Sequence, residues 1–499
     1  MKIRRTCYCA LVLALPIAVA CCRSSKEPDA LSKQVGDAPP RANIILLTVD
    51  TLRADHMELY GYPRRTMPAV SAFAQTAVIF DNAVVPRGTT RPSYASMLTG
   101  LYPARHGVRA NGVVLHEDNV TLPEMLKAAG YHTAAFVSNG TLKKAVSGLG
   151  QGFDVYVCDS GGDGESGTAK DMTTALLEWL DADPPQPFFL FTNLIDPHGP
   201  YSPPERFRTQ FRSKRTRRLK RDKIPASIYV EGELNHFDYV DRYDGDILHT
   251  DELLGKTMAK LKDKGLWDEA FVVFTADHGE CMGQHDLYYT HQPMVWEETM
   301  HVPLAIRLPR SIAERRGIKP KRVRGLCSPM DLPPTLLAYL GISCDVKFDG
   351  RSLLPLMKGA GDDGRALLME YPSFLRSPDG KQPGVYALRR AGHKLTRSVD
   401  ETTGETLKQT LYNLVADRTE QRPISFDPKR PGHRALSRKL DSLLNDLRTY
   451  EPPFKVVVYE LPFQVRHPFV EQKRKEGKIA IKVVPTEQIE RLRALGYIQ

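Results

Sequence analysis

Four apolar runs constrain the fold of this chain more than any other feature. Residues 43–49, 133–137, 188–194 and 271–275 are short, dominated by apolar and β-branched side chains, and bounded by polar ones. Such runs predict strands buried on both faces, the signature of a parallel sheet. Helical periodicity lies between them. In 246–264, Ile247, Leu254, Met258 and Leu261 fall on one face, and Gly265 supplies a stop. Strands alternating with helices imply a doubly wound α/β sheet.

The ends of these strands carry chemistry. The first run ends in Asp50, the third leads into Asp196-Pro197-His198, and the fourth into Asp277-His278-Gly279-Glu280. Sites in open parallel sheets form beyond the C-terminal ends of the strands. Any one of these residues is equally a turn Asp or a helix cap. Three strands delivering Asp or His to one edge point to a site for one divalent cation, with Ca, Mg, Mn and Zn all compatible. A fourth element joins them. Residues 89–100 read as a turn and a short helix, with Pro92 in the first turn and Gly100 at the exit. Thr90 would face the unpaired N–H groups of that helix start. It is either a capping residue or, beside a metal, an activated hydroxyl.

The chain has 499 residues, enough for one large α/β domain and a smaller appended one. Lys2, Arg4 and Arg5 precede an apolar run, 10–20, too short for a stable membrane span, and Ala18-Val19-Ala20 leads into Cys21. This predicts an exported, periplasmic or cell-surface protein with a lipid anchor on Cys21. A simple cleaved signal and an ordinary buried segment are the alternatives. Residues 22–41 read as a flexible tether. The net charge of +10 is concentrated in 206–223, where ten Lys or Arg residues accompany one acid, Asp222. The plain reading is a solvated insertion; the sharper one is a basic rim for anionic substrates or lipid headgroups. No recognition module accompanies the charge, which argues against nucleic acid as a partner. Past the export segment only Cys158, Cys281, Cys327 and Cys344 remain, in no zinc spacing. A Cys327–Cys344 disulfide stays open.

These motifs, in this order, resemble the sulfatase family of the alkaline-phosphatase superfamily. The matching runs are Asn43 through Asp55, Pro92 through Gly107, Asp196-Pro197-His198-Gly199-Pro200-Tyr201 and Thr275 through Glu280. Glu297-Glu298 before Val302-Pro303-Leu304, Asp331 through Leu336, Leu411-Tyr412-Asn413-Leu414 and Leu492 through Ile498 follow. The resemblance implies an α/β, alkaline-phosphatase/sulfatase-like sandwich: a large, mostly parallel sheet flanked by helices, and a smaller C-terminal α+β subdomain. It implies a catalytic domain over 42–357, a completing subdomain over 358–450 and a tail over 451–499. By position it implies Asp50, Thr90, Asp277 and His278 as metal ligands and Thr90 as nucleophile. His198 and His291 are placed near the anion being cleaved, as catalytic or supporting groups, and Arg91 and Asn139 are further candidates for substrate contact, although Asn139 also suits a turn. His106 and His285 read as structural.

Departures from the family bear on the reaction. Family members carry Cys or Ser where Thr90 stands and convert it to formylglycine; the methyl on the Thr β-carbon forbids that aldehyde. Tyr94 stands where an Arg is usual, Thr51 in place of a second Asp, Val137-Ser138-Asn139-Gly140 in place of a Gly-Lys-Trp-His run, and His291 in place of a Lys. A Thr nucleophile is similar to that of the phosphodiesterase, phosphoethanolamine-transferase and nucleotide-pyrophosphatase relatives. The sequence therefore predicts a metal-dependent hydrolase or group transferase cleaving an anionic phosphate or sulfate ester on a lipid headgroup, glycan or small molecule, with phosphate favoured. The alternatives are a sulfuric ester hydrolase without formylglycine, a two-metal phosphodiesterase drawing on His198, His285 or His291, and a non-catalytic lipoprotein that binds an anionic glycan or lipid.

Overall fold

A computed structural model of the chain describes residues 42–158, 168–291, 294–372, 383–450, 452–453, 456–460 and 479–483. The export segment with Cys21, the tether 22–41 and the closing 492–498 motif lie outside the described residues. All four apolar runs are strands of one eight-stranded sheet. Its order is Lys321–Val323, Val78–Phe80, Leu304–Arg307, Phe271–Ala276, Ile44–Val49, Phe188–Leu194, His132–Val137 and Val155–Val157. Ile44–Val49 lies in the middle and pairs in parallel with a strand on each side. Every residue of the three central strands is buried, which explains why none of them alternates. The sheet is mixed: Leu304–Arg307 runs antiparallel to both its neighbours.

Helix Ala169–Asp181 packs against His236–Asp263, and Thr90–Thr99 against Leu332–Leu340 and Leu122–Ala128. His236–Asp263 starts ten residues before the helix read from sequence. Those first turns bury Tyr239 and Tyr243 in line with Ile247, on a face interrupted by acidic residues. The buried acids among them are charge-paired, with Arg64 reaching both Asp241 and Asp244 at 2.6 Å.

A second sheet, antiparallel, joins Ala366–Tyr371, Pro383–Arg390, His393–Asp400 and Thr406–Asn413. Helix Pro431–Thr449 packs on it and buries Leu436, Leu440, Leu444 and Leu447. Burying four leucines stabilises by roughly 6–12 kcal/mol. That exceeds what helix propensity supplies, so packing holds this element. Residues Val456–Glu460 and Ile479–Val483 pair in parallel, and the first also pairs with Val113–Val114. The stretch read as a tail therefore contributes strands. Cys327 is buried and Cys344 exposed, both as free thiols.

Candidate active site

Strand register builds the site. Val49 sits opposite Leu194 on one side and Ala276 on the other. Asp50 and Asp277, each one residue further on, therefore leave adjacent strands at the same level. His278 follows, and ligand atoms of Asp50, Asp277 and His278 all lie within 4.8 Å of one another. Neighbours aim them. Asp50 Oδ2 accepts from Asn139 Nδ2 at 2.5 Å. Asp277 Oδ1 accepts from the N–H groups of Thr51 at 3.2 Å and His278 at 2.8 Å. His278 Nδ1–H donates to Gly279 O at 2.9 Å, which leaves Nε2 as the lone-pair nitrogen facing the carboxylates. Gly279 is required here, because a Cβ on it would lie 2.1 Å from Glu298 O.

Thr90 is the first residue of helix Thr90–Thr99 and is fully buried. The N-cap is Thr89, so Thr90 is not spent on capping. Its Oγ1 lies 3.4 Å from His278 Nε2. Gly100 ends the helix at φ +73°, a left-handed turn that favours glycine. Ser93 Oγ, one turn on, donates to Asp277 O at 2.6 Å and ties helix to strand. Tyr94, in the position of the family's Arg, is buried and neutral. Its hydroxyl bonds Thr48 Oγ1 and accepts from Asn193 Nδ2, both at 2.8 Å.

Two candidates are occupied elsewhere. The Arg91 guanidinium donates to Thr141 O and Val113 O, and the Arg91 N–H donates to Asn111 Oδ1 at 2.9 Å. That N–H is therefore already committed and does not point at a developing anion. Asn139 is a turn residue: its Oδ1 accepts from Thr141 N–H and its Nδ2 holds Asp50. Both side chains support the site from behind, in hydrogen bonds to protein groups.

His198 and His291 face each other at the mouth, ring centroids 5.4 Å apart, and His291 lies 4.5 Å from His278. His198 Nδ1–H donates to Gly199 O at 2.6 Å. His291 Nδ1 stands 3.4 Å from Glu280 Oε1. Glu280 Oε2 accepts from Tyr201 OH at 3.2 Å. His285 and His106 are structural: His285 stacks on Trp296 at 3.8 Å, and His106 is buried against Ser96 Oγ at 2.9 Å.

The electrostatics fit a cation. Asp50 Oδ1 and Asp277 Oδ2 are buried and accept no hydrogen bond among the described residues. Burial pushes both carboxyls above their ordinary range, and Asp50 pushes Asp277 further. Burial, then His291, holds His278 well below the usual imidazole value. Two carboxylate oxygens and one neutral imidazole, converging without a protein donor, match the donor set of a divalent cation, which would offset the carboxylates' mutual repulsion. Burial draws His291 down, but the contact with and charge of Glu280 outweigh it, so His291 is raised; burial lowers His198.

A profile of the family described as sulfatase matches residues 42–342. The chain belongs to the sulfatase family. It is an ester hydrolase of the alkaline-phosphatase superfamily. The family's N-sulphoglucosamine sulphohydrolase C-terminal profile matches residues 283–450. The ulvan-active sulfatase of Formosa agariphila is 26% identical over 82% of this chain and 81% of that protein. Among solved structures, a complex with the substrate D-glucosamine-2-N,6-O-disulfate superposes with a TM-score of 0.68 at 22% identity, covering 83% of this chain and 99% of the other. The phosphonate monoester hydrolase of Agrobacterium radiobacter superposes with a TM-score of 0.64 at 21% identity, covering 82% and 95%.

Sequence reasoning missed three supports of this sulfatase-family site. Asn193 links Asn139 N–H to Tyr94, Asn111 holds the Arg91 N–H, and Glu280 contacts His291. Asn193 carried a signal, since an amide inside an otherwise apolar run must find buried partners. Asn111 carried none. Among the described residues no helix is long and apolar enough to cross a membrane.

Proposed function

We propose that this protein cleaves an anionic ester by covalent attack from Thr90, with phosphoryl or phosphonyl esters favoured over sulfates. The observation that carries the reading is Thr90 Oγ1 placed 3.4 Å from His278 Nε2, beside carboxylate oxygens that no donor among the described residues satisfies. Thr cannot give formylglycine, so an aldehyde route has no starting group. Asp50, Asp277 and His278, with Thr90, would hold one divalent cation, which when bound acidifies an adjacent hydroxyl and polarises the ester anion. Ca, Mg, Mn and Zn all suit the donors.

Thr90 Oγ1 passes its proton to solvent and bonds to the phosphorus as the bond to the leaving oxygen breaks. His198 or His291 gives that oxygen its proton. Glu280, beside His291, favours the charged imidazolium that such a donor needs. Water, or an acceptor hydroxyl, then breaks the Thr90 ester. Asn139 keeps Asp50 fixed throughout. Sulfate esters are the second reading, supported by the named activities of the relatives. Export with a lipid anchor on Cys21 belongs to the same proposal, as does division into a catalytic domain 42–357 and a completing subdomain 358–450.

The test compares aryl sulfate, phosphonate monoester and phosphodiester turnover in the wild type and in Thr90→Ala, with bound metal measured in both. Expected is phosphonate or phosphodiester turnover that falls at least ~10³-fold in the variant. Sulfate turnover surviving in Thr90→Ala would sink the covalent route. A wild type that neither binds metal nor turns over any ester would favour a binding protein.

A further inference from the structure

The basic segment borders a shallow, open depression. Lys214, Arg215 and Arg217 line a pocket of about 840 Å³ together with His236, Phe237 and Gln284. No carboxylate lines it, and none of the three cations has an ion-pair partner among the described residues. Three other cations of the segment are paired: Arg206 with Glu252, Arg208 with Glu205, and Lys223 with Asp286. Two lining cations are nonetheless positioned. Arg215 lies over the Phe237 ring at 4.2 Å, and Arg217 Nη2 donates to Tyr288 OH at 2.5 Å. Exposed arginines held on aromatic faces have lost part of their rotamer freedom before any ligand arrives, which lowers the entropy cost of binding. Burial, then the charges of Arg217 and Arg215, pushes His236 down to about 4, so this ring adds polar atoms and no charge.

One hairpin links the pocket to the candidate active site. Strands Cys281–Met282 and Tyr288–Thr290 form it, with His278 three residues before and His291 directly after. Met282, Gly283 and Gln284 form the pocket wall on that hairpin. Gln284 is six residues beyond His278, so their Cα atoms are at most about 22 Å apart. Gln284 Oε1 also accepts from Arg53 Nη1 at 3.2 Å, and Arg53 lies three residues beyond Asp50.

We infer that this pocket is a second anion subsite, which holds a charged group on a neighbouring unit of an anionic glycan chain while another unit is presented to Thr90. This rests on the ester-hydrolase reading for the second half only. An open depression with an amide and cations held in place suits a sugar carrying sulfate or carboxylate. A lipid surface would instead be met by exposed apolar side chains that insert, whereas the exposed lining here is cationic: Lys214, Arg215 and Arg217 are exposed and Met282 is buried.

The experiment reads binding without turnover. Affinity of the full-length protein for a polysulfated hexasaccharide, and for phosphatidylglycerol vesicles, is measured at low and high salt. The wild type is compared with Lys214→Ser/Arg215→Ser/Arg217→Ser and with Lys214→Ser alone, whose exposed side chain guards against misfolding of the triple variant. The expected result is a loss of about tenfold in oligosaccharide affinity for the triple variant and about twofold for the single one, with weaker salt dependence. Unchanged oligosaccharide affinity, or no wild-type binding at all, overturns the inference. Loss of vesicle binding alone overturns it in favour of a membrane. Oligosaccharide loss in a protein that hydrolyses no ester leaves the subsite standing and refutes the catalytic reading instead.

Discussion

Asn139 shows how much one buried amide can carry. Its Nδ2 holds Asp50 and its Oδ1 holds the turn at Thr141. Asn139→Ala leaves the buried Asp50 Oδ2 without the Asn139 donor. The expected cost is about 1–3 kcal/mol of stability and about 10–100-fold in metal affinity, read by thermal melting and by metal titration. An unchanged metal affinity would show that Asp50 needs no such anchor. Thr51 is the other instructive residue. It is β-branched and sits at φ +51° with its hydroxyl buried and without a partner among the described residues. That strained backbone turns its N–H onto Asp277 and its carbonyl onto Tyr243 OH. Where the family supplies a second carboxylate, this chain supplies only backbone.

At the scale of elements, the antiparallel sheet is fastened to the main body by a buried charge network. Lys394 Nζ, fully buried, lies 3.3 Å from Glu297 Oε1 and 3.1 Å from Glu420 Oε1, and Arg389 lies 2.8 Å from Glu297 Oε2. Burial raises the Glu420 carboxyl; for Glu297, Arg389 and Lys394 outweigh burial and lower it. Lys394→Met strands two buried carboxylates against Arg389 alone, and about 3–5 kcal/mol of stability is expected to go. Denaturant unfolding measures it, and a loss under ~1 kcal/mol would mean that the network is solvated. The Glu297-Glu298 run was legible in the sequence as a motif. Its partners were not, because Lys394 and Glu420 lie about a hundred residues away and nothing local marks them.

For the whole molecule, the cation and the acid limit should both register in stability. If Asp50, Asp277 and His278 hold a divalent ion, a chelator removes binding free energy of about 2.7 kcal/mol at a hundredfold excess over Kd. Melting should then fall by a few degrees with EDTA and recover on adding the metal. A melt indifferent to both would contradict the metal site. Acid should destabilise for a separate reason. Burial holds His106 down to about 3 and His301 to about 4, against an ordinary 6.5. Between 6.5 and those values the unfolded chain binds protons that the folded chain refuses. Stability is therefore full above 6.5 and falls as pH drops through that window. His106→Asn keeps an acceptor for the Val108 N–H and removes one of these titrations, so its melting temperature should decline less steeply toward about pH 4.5. An equal decline would assign the acid sensitivity elsewhere.

The sequence by itself determined the strands, their Asp and His ends and the helix start at Thr90, because apolar run length and turn chemistry are local. It also determined that no aldehyde can form at Thr90, since that depends on one β-carbon. Only tertiary structure decided which of these residues meet. Register placed Asp50 beside Asp277, packing gave Arg91 and Asn139 hydrogen bonds to protein groups, and Arg217 of the basic segment reached Tyr288 on the hairpin between His278 and His291. Those outcomes depend on pairings between residues more than two hundred positions apart, and the free energy of such pairings is not written in any single stretch of chain.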